Sequence, residues 1–239
     1  MSKNDCFIKD TKSGQFMGSK PGCSGKAGVD PKKGVVKVKR KEVNYGEEFA
    51  KPNNYQGNLT KRHEEMFKLT REKLAEGGRT FPDKDVAKHI GDDYWTGQAS
   101  EYEADEKAKT ATGESYGDNP DAVAINRIFS YKKNPTIRNK FVVVGDMGKE
   151  DGKIEIRKVN DTGMYASYID KNGLRQKYPH PTNIVDFHKG SLDNFCGKPN
   201  CGRQPIMMRT CESIGECRIV QKEMKEKIRK WREENVKKK

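Results

Sequence analysis

A chain of 239 residues is long enough for one large or two small cores, yet only 32% of its side chains are hydrophobic while 35% are charged. Its 48 basic and 35 acidic residues give a formal charge of +13, which favours a polyanionic neighbour: nucleic acid, an acidic lipid surface or an acidic protein lattice. No apolar run reaches the roughly 18 residues that a membrane-spanning helix needs.

The charge is uneven along the chain. Residues 1–60 carry 12 basic and 6 acidic side chains, residues 61–130 carry 11 and 15, residues 131–217 carry 15 and 10, and residues 218–239 carry 10 and 4. Both ends are therefore basic around an acidic middle. The N-terminus lacks an apolar core segment and has acids early, which argues against a secretory signal or an Arg-rich transit peptide. The expected setting is the cytosol, the nucleus or a particle such as a virion assembled there.

Residues 1–58 are rich in Gly, Lys, Pro and Asn and read as a long, extended basic arm. Val36, Val38, Arg40 and Glu42 would share one side of a short strand. The isolated aromatics Phe7, Phe16, Tyr45, Phe49 and Tyr55 favour docking on a partner over a purely solvating tail. Lys32, Lys33, Lys37, Lys39, Arg40 and Lys41 are its expected partner-binding residues.

Residues 59–131 read as a helical segment with an acidic loop. Leu59, His63, Met66, Phe67, Thr70 and Leu74 recur at helical spacing, and Gly77-Gly78 ends the run. A second helix is expected from Pro82 to Gly91, capped by Asp83. The acidic stretch from Asp92 to Gly117 reads as loop, and Asp118-Asn119-Pro120 as the start of a helix with Ile125, Ile128 and Phe129 facing inward.

Residues 132–194 read as a β-meander core. "KFVVVGDM" is an apolar run, "GKIEIRKV" alternates, and "GMYASYID" and "LRQKYPH" flank Asn172-Gly173, a strong hairpin signal. Residues 195–217 read as a cysteine-stapled loop and residues 218–239 as a basic amphipathic helix. Cys217, Val220, Met224, Ile228 and Trp231 form that helix's narrow apolar stripe, and Lys227, Lys230 and Trp231 are its expected partner-binding residues. The fold class expected is α+β: a small antiparallel β-meander of barrel-like size, several short helices, an extended basic N-terminal arm and a C-terminal amphipathic helix.

Cys196, Cys201, Cys211 and Cys217 carry the most specific chemical signal. Their spacing allows one structural zinc, with "CGKPNC" as the short turn that converges two sulfurs, and His180 or His188 as substitute ligands. It equally allows two disulfides, with Cys6 and Cys23 as a third pair, or reduced thiols packed as small apolar groups. No cofactor beyond that single zinc is expected. In each case the sulfurs staple a loop, because no C-x-x-C or adjacent Cys-His pair equips them for catalysis.

Other motifs weaken on inspection. "VVVGDMGKED" resembles a phosphate loop but lacks its glycine spacing and hydroxyl residue, so a tight turn between strands is expected. Asp92, Asp93, Glu101, Glu103, Asp105 and Glu106 lie in one polar run and read as solvated. His63 falls on an apolar helix face and reads as packing. No RNA- or DNA-reading signature accompanies the basic ends, so any nucleic-acid contact would be non-specific backbone attraction.

With no catalytic constellation in the sequence, the expected function is a non-enzymatic structural subunit of a large assembly. A minor capsid-associated protein of a virus particle comes first, with tails threading between neighbouring subunits. A zinc-binding ribonucleoprotein or ribosome-associated protein, gripping phosphates with its tails, and a cytoskeletal lattice-binding protein are the alternatives.

Overall fold

The computed structural model describes residues 59–103, 109–129 and 141–235, with the backbone of five strands between Asp5 and Asn44. Those five are β1 (Asp5–Asp10), β2 (Phe16–Pro21), β3 (Gly28–Asp30), β4 (Val35–Lys39) and β5 (Val43–Asn44). The first four pair in the order β2-β1-β4-β3, so these stretches of the expected arm pair with one another. Lys37 and Lys39 lie on β4; Lys32, Lys33, Arg40 and Lys41 lie outside the described residues.

The helix expected after Asn58 is present as α1 (Leu59–Glu76). It is followed by β6 (Lys88–His89), β7 (Trp95–Tyr102), β8 (Val123–Asn126), β9 (Phe141–Asp146) and β10 (Ile154–Gly163). Then come β11 (Tyr165–Ile169), β12 (Arg175–Pro179), β13 (Asn183–His188), α2 (Ser191–Cys196), β14 (Gln204–Cys211) and α3 (Ile214–Asn235). None of the described helices is long and apolar enough to cross a membrane.

Six strands in the order β13-β8-β10-β9-β14-β7 close into a barrel, because β7 pairs back onto β13. The molecule is α+β and barrel-like, but the expected antiparallel meander is corrected: β10–β8 and β13–β7 pair in parallel, which hairpins cannot produce. The barrel also draws on residues 95 to 211, beyond the expected 132–194. Two expected helices are replaced: Pro82–Gly91 forms turns and β6, and Asp118–Phe129 forms β8 between two short 3-10 turns. Val123, Ala124, Ile125 and Asn126 are buried on both faces, which favours a strand inside a closed sheet over a helix with one wet side.

The same double burial explains the three consecutive valines of β9. Val142 and Val144 point into the barrel core with Ile206, Met208 and Phe187, whereas Val143 faces outward under α3, packed with Met207, Val220, Met224 and Ile228. Alternation is thus present but invisible in hydropathy, since both sides are dry. Gly145 lies where α3 comes closest: a Cβ there would stand 2.5 Å from Ile228 Cδ1 and 2.8 Å from Met224 Sδ.

α1 covers another side. Met66 and Phe67 join Trp95 and Phe129 in the barrel cluster, and Leu74 packs with Ala166 and Tyr178 of the β11–β12 hairpin. That hairpin turns at Gly173, whose φ of 77° suits glycine, and β5 pairs in parallel with its β12 edge.

Candidate functional site

The seam where the barrel closes builds the site. Parallel register sets Ser100 of β7 beside Asp186 of β13, and Tyr102 beside His188, two residues further along both strands. A two-residue period keeps both pairs on one face of the seam. Ser100 Oγ donates to Asp186 Oδ1 in a short hydrogen bond, and Asn183 Nδ2 donates to Ser100 Oγ at 2.5 Å. Burial pushes the Asp186 carboxyl up to about 6, against the opposing pull of the Ser100 hydrogen bond and the Arg203 charge.

A second carboxylate, Asp161 of β10, stands on the same surface. Its Oδ1 accepts from the backbone N–H of Ala111 at 3.0 Å and of Thr162 at 2.8 Å, and its Oδ2 accepts from the Tyr116 hydroxyl. Between the carboxylates lies an aromatic group. Tyr102 meets Tyr116 edge-on at 5.4 Å and His188 at 5.8 Å, while Tyr116 and His188 stack at 6.3 Å.

The Tyr102 hydroxyl is raised above its ordinary value by burial and then by the charges of Asp161 and Asp186, so it lies in the field of both acids. Tyr116 is raised by burial and by its hydrogen bond to Asp161. His188 Nε2 is buried with no hydrogen-bond partner among the described residues, an open valence beside the patch.

Asp186 faces a cleft of about 650 Å³. One wall carries Met164, Tyr165 and His180 at the base of the β11–β12 hairpin, and the other Gly202 and Arg203 in the turn before β14. His180 is buried and neutral, its protonated form suppressed to about 4 by desolvation, and its Nδ1 lies 3.1 Å from Thr182 Oγ1. Such an arrangement can deliver a proton from Asp186 to a polar group in an open trough, with Asp161 and two phenols close by.

The four cysteines lie apart from this chemistry. Cys196 is disulfide-bonded to Cys201 and Cys211 to Cys217, with Cα–Cα separations of 6.3 and 5.5 Å. The first pair sits in the barrel cluster and the second under α3, so the four sulfurs do not converge on one tetrahedral zinc, and His180 and His188 belong to the cleft and its aromatic patch. Among the described residues no group of three or more His, Cys, Asp or Glu side chains could hold a metal ion.

On α3, Lys227 pairs with Asp92 at 2.8 Å and lies over the Tyr94 ring, Lys230 reaches Glu226 at 3.8 Å, and Trp231 packs at the edge of the α3 cluster. Lys227 and Trp231 thus serve the internal packing of α3. His63 packs against Trp95 and Phe129 at 5.9 and 5.2 Å. Of the acidic run, Asp93 accepts from Thr60 at 3.0 Å, Glu103 pairs with Lys189 at 2.7 Å, and Glu101 accepts from the Gly190 backbone N–H; Asp105 and Glu106 lie outside the described residues.

Sequence reasoning passed over Asp161, Asp186, Tyr102 and Tyr116. One signal was available: "YPHPTNIVDFHKG" places an acid inside an apolar, strand-like run, where a carboxylate is costly unless it has a use. No protein-family model and no curated protein matches the chain.

Proposed function

We propose that the barrel is an acid–base catalyst that cleaves glycosidic bonds in an extended polysaccharide. The observation that carries this reading is Asp186, a carboxyl that retains its proton to about pH 6 while facing an open cleft. Glycosidic cleavage needs a carboxylic acid to protonate the leaving oxygen and a second carboxylate nearby to stabilise the positive charge developing on the sugar or to activate water. Asp186 fills the first role. Asp161, across Tyr102, is the candidate for the second.

Cleft chemistry points to a sugar chain. The trough is lined mainly by hydroxyl, amide and charged groups, with Tyr165 as an aromatic ring in its wall, rather than by the apolar walls of a small-molecule pocket. Two disulfides favour work in an oxidising compartment or outside the cell, where such polymers occur. This reading stands beside the non-enzymatic one expected from the sequence.

The test is reducing-end release from a panel of α- and β-linked neutral and uronate polysaccharides, comparing the native protein with Asp186→Asn. New reducing ends with the native chain and a loss of at least about 100-fold in the variant are expected. Equal release from both would remove Asp186 from the chemistry.

The assembly reading keeps one specific support: the basic residues 1–60 and 218–239 lie on either side of the barrel strands in sequence, and β5 ties the first of these regions to the hairpin edge. A glycan-cleaving barrel carried on a particle such as a virion would satisfy both readings. Identification of what co-purifies with the full chain from its native source tests that combination; a chain that elutes alone at physiological salt contradicts it.

A further inference from the structure

Arg203 stands in the cleft wall with no hydrogen bond or ion pair among the described residues, although the groups around it are committed. Ser100 is bound to Asp186, Glu101 to the Gly190 backbone, and His180 Nδ1 to the turn at Thr182–Asn183. Among the described residues Arg203 is the only lysine or arginine lining the trough, which Asp186 and His180 line as well, and its charge acts on both.

Its backbone is held on both sides. Before it, Asn200 and Cys201 donate their N–H groups to the Asp193 carboxylate at 3.0 and 2.8 Å, Cys201 is bonded to Cys196, and Gly202 turns with a φ of 67°. After it, Gln204 Nε2 donates to buried Asp146 at 2.5 Å. These contacts fix the backbone from which the exposed Arg203 side chain projects, and its planar fork matches a carboxylate in two parallel hydrogen bonds.

We propose that Arg203 is a specificity-determining residue that selects polysaccharides bearing a carboxylate on the sugar ring or its substituent. The inference rests on the glycan-cleaving reading for the identity of the polymer, but its binding prediction stands apart from bond cleavage. An acidic sugar paired with Arg203 would lie beside Asp186, and neutralising that guanidinium would favour the protonated acid needed for the next step.

The decisive experiment is affinity electrophoresis of the full chain in gels containing polygalacturonate, alginate or their methyl esters, which keep the backbone and lose the charge. Asp186→Asn serves as the parent to prevent turnover, and Arg203→Gln is compared with Lys198→Gln, an equal charge loss at an exposed position of the same turn. Roughly ten- to a hundred-fold weaker retention by the acidic gels for Arg203→Gln alone is expected, with the ester gels indifferent to both changes. Equal weakening by Arg203→Gln and Lys198→Gln would reduce the effect to the general attraction of a basic protein for polyanions and overturn the proposal. Retention unchanged by Arg203→Gln, or no binding to the acidic gels, would overturn it as well. Failure of the cleavage reading is seen separately, as an absence of new reducing ends from any polymer despite Arg203-dependent binding.

Discussion

Replacing Asp186 by asparagine should damage activity and improve the fold at the same time. A carboxyl whose folded value is raised to about 6 from 3.8 adds stability below the unfolded value and loses it as pH rises through about 6. An asparagine side chain carries no charge to desolvate and can still accept from Ser100, so Asp186→Asn should gain about 2–3 kcal/mol at pH 7 and nothing near pH 3.5. Denaturant titrations at the two pH values measure this; a variant less stable at pH 7 would show that the buried charge is not the cost it is taken to be. His63 has the opposite sign. Burial holds it at about 4 against 6.5 unfolded, so its contribution is complete above 6.5 and is lost as pH falls towards 4, by up to about 3 kcal/mol. His63→Phe should flatten that acid limb in thermal melts, and an unchanged slope would mean that another group, such as His180, governs it.

Among the elements, α3 and the turn before β14 carry the testable weight. Gly145→Val would drive side-chain atoms into Ile228 and Met224, and should lower stability by about 1–3 kcal/mol, read as a lower urea midpoint at unchanged slope. Replacing Cys196 and Cys201 together by serine opens a loop of sequence separation 5, worth about 2 kcal/mol by chain entropy, and frees the Arg203 turn. The expected result is a lower melting temperature together with weaker retention on acidic glycan; an unchanged retention would mean that the Asp193 contacts alone position that turn. Elements with a one-sided environment were legible in the sequence: α1 and α3 display a wet and a dry face, and Asn172-Gly173 declares its turn chemically. β8 was not, because four consecutive buried residues have no period and the preceding Asp-Asn-Pro imitates a helix start. β7 was hidden for a different reason: Gly97, Gln98 and Ser100 look like loop residues, yet Gly97 is needed where the Thr182 carbonyl would stand 2.9 Å from a Cβ, and Ser100 binds the acid.

At the scale of the whole molecule, the site exists only because β7 and β13, about ninety residues apart in sequence, meet in parallel and close the barrel. Local spacing cannot encode such a pairing, which is why Asp161 and Asp186 read as ordinary acids while their convergence on Tyr102 is a property of closure. The low apolar content is accommodated by a core that is narrow but used on both faces of β9 and β14, with α3 as its second cover. Asp186 as the proton donor is tested most directly by the pH dependence of reducing-end release from the best polysaccharide of the panel, for the native chain and Asp186→Asn. The native rate is expected to decline as pH rises through about 6, and the folded variant to retain at most about one-hundredth of it. A folded native protein that releases no sugar ends from any polymer at any pH, or a variant that matches the native rate, would contradict that role.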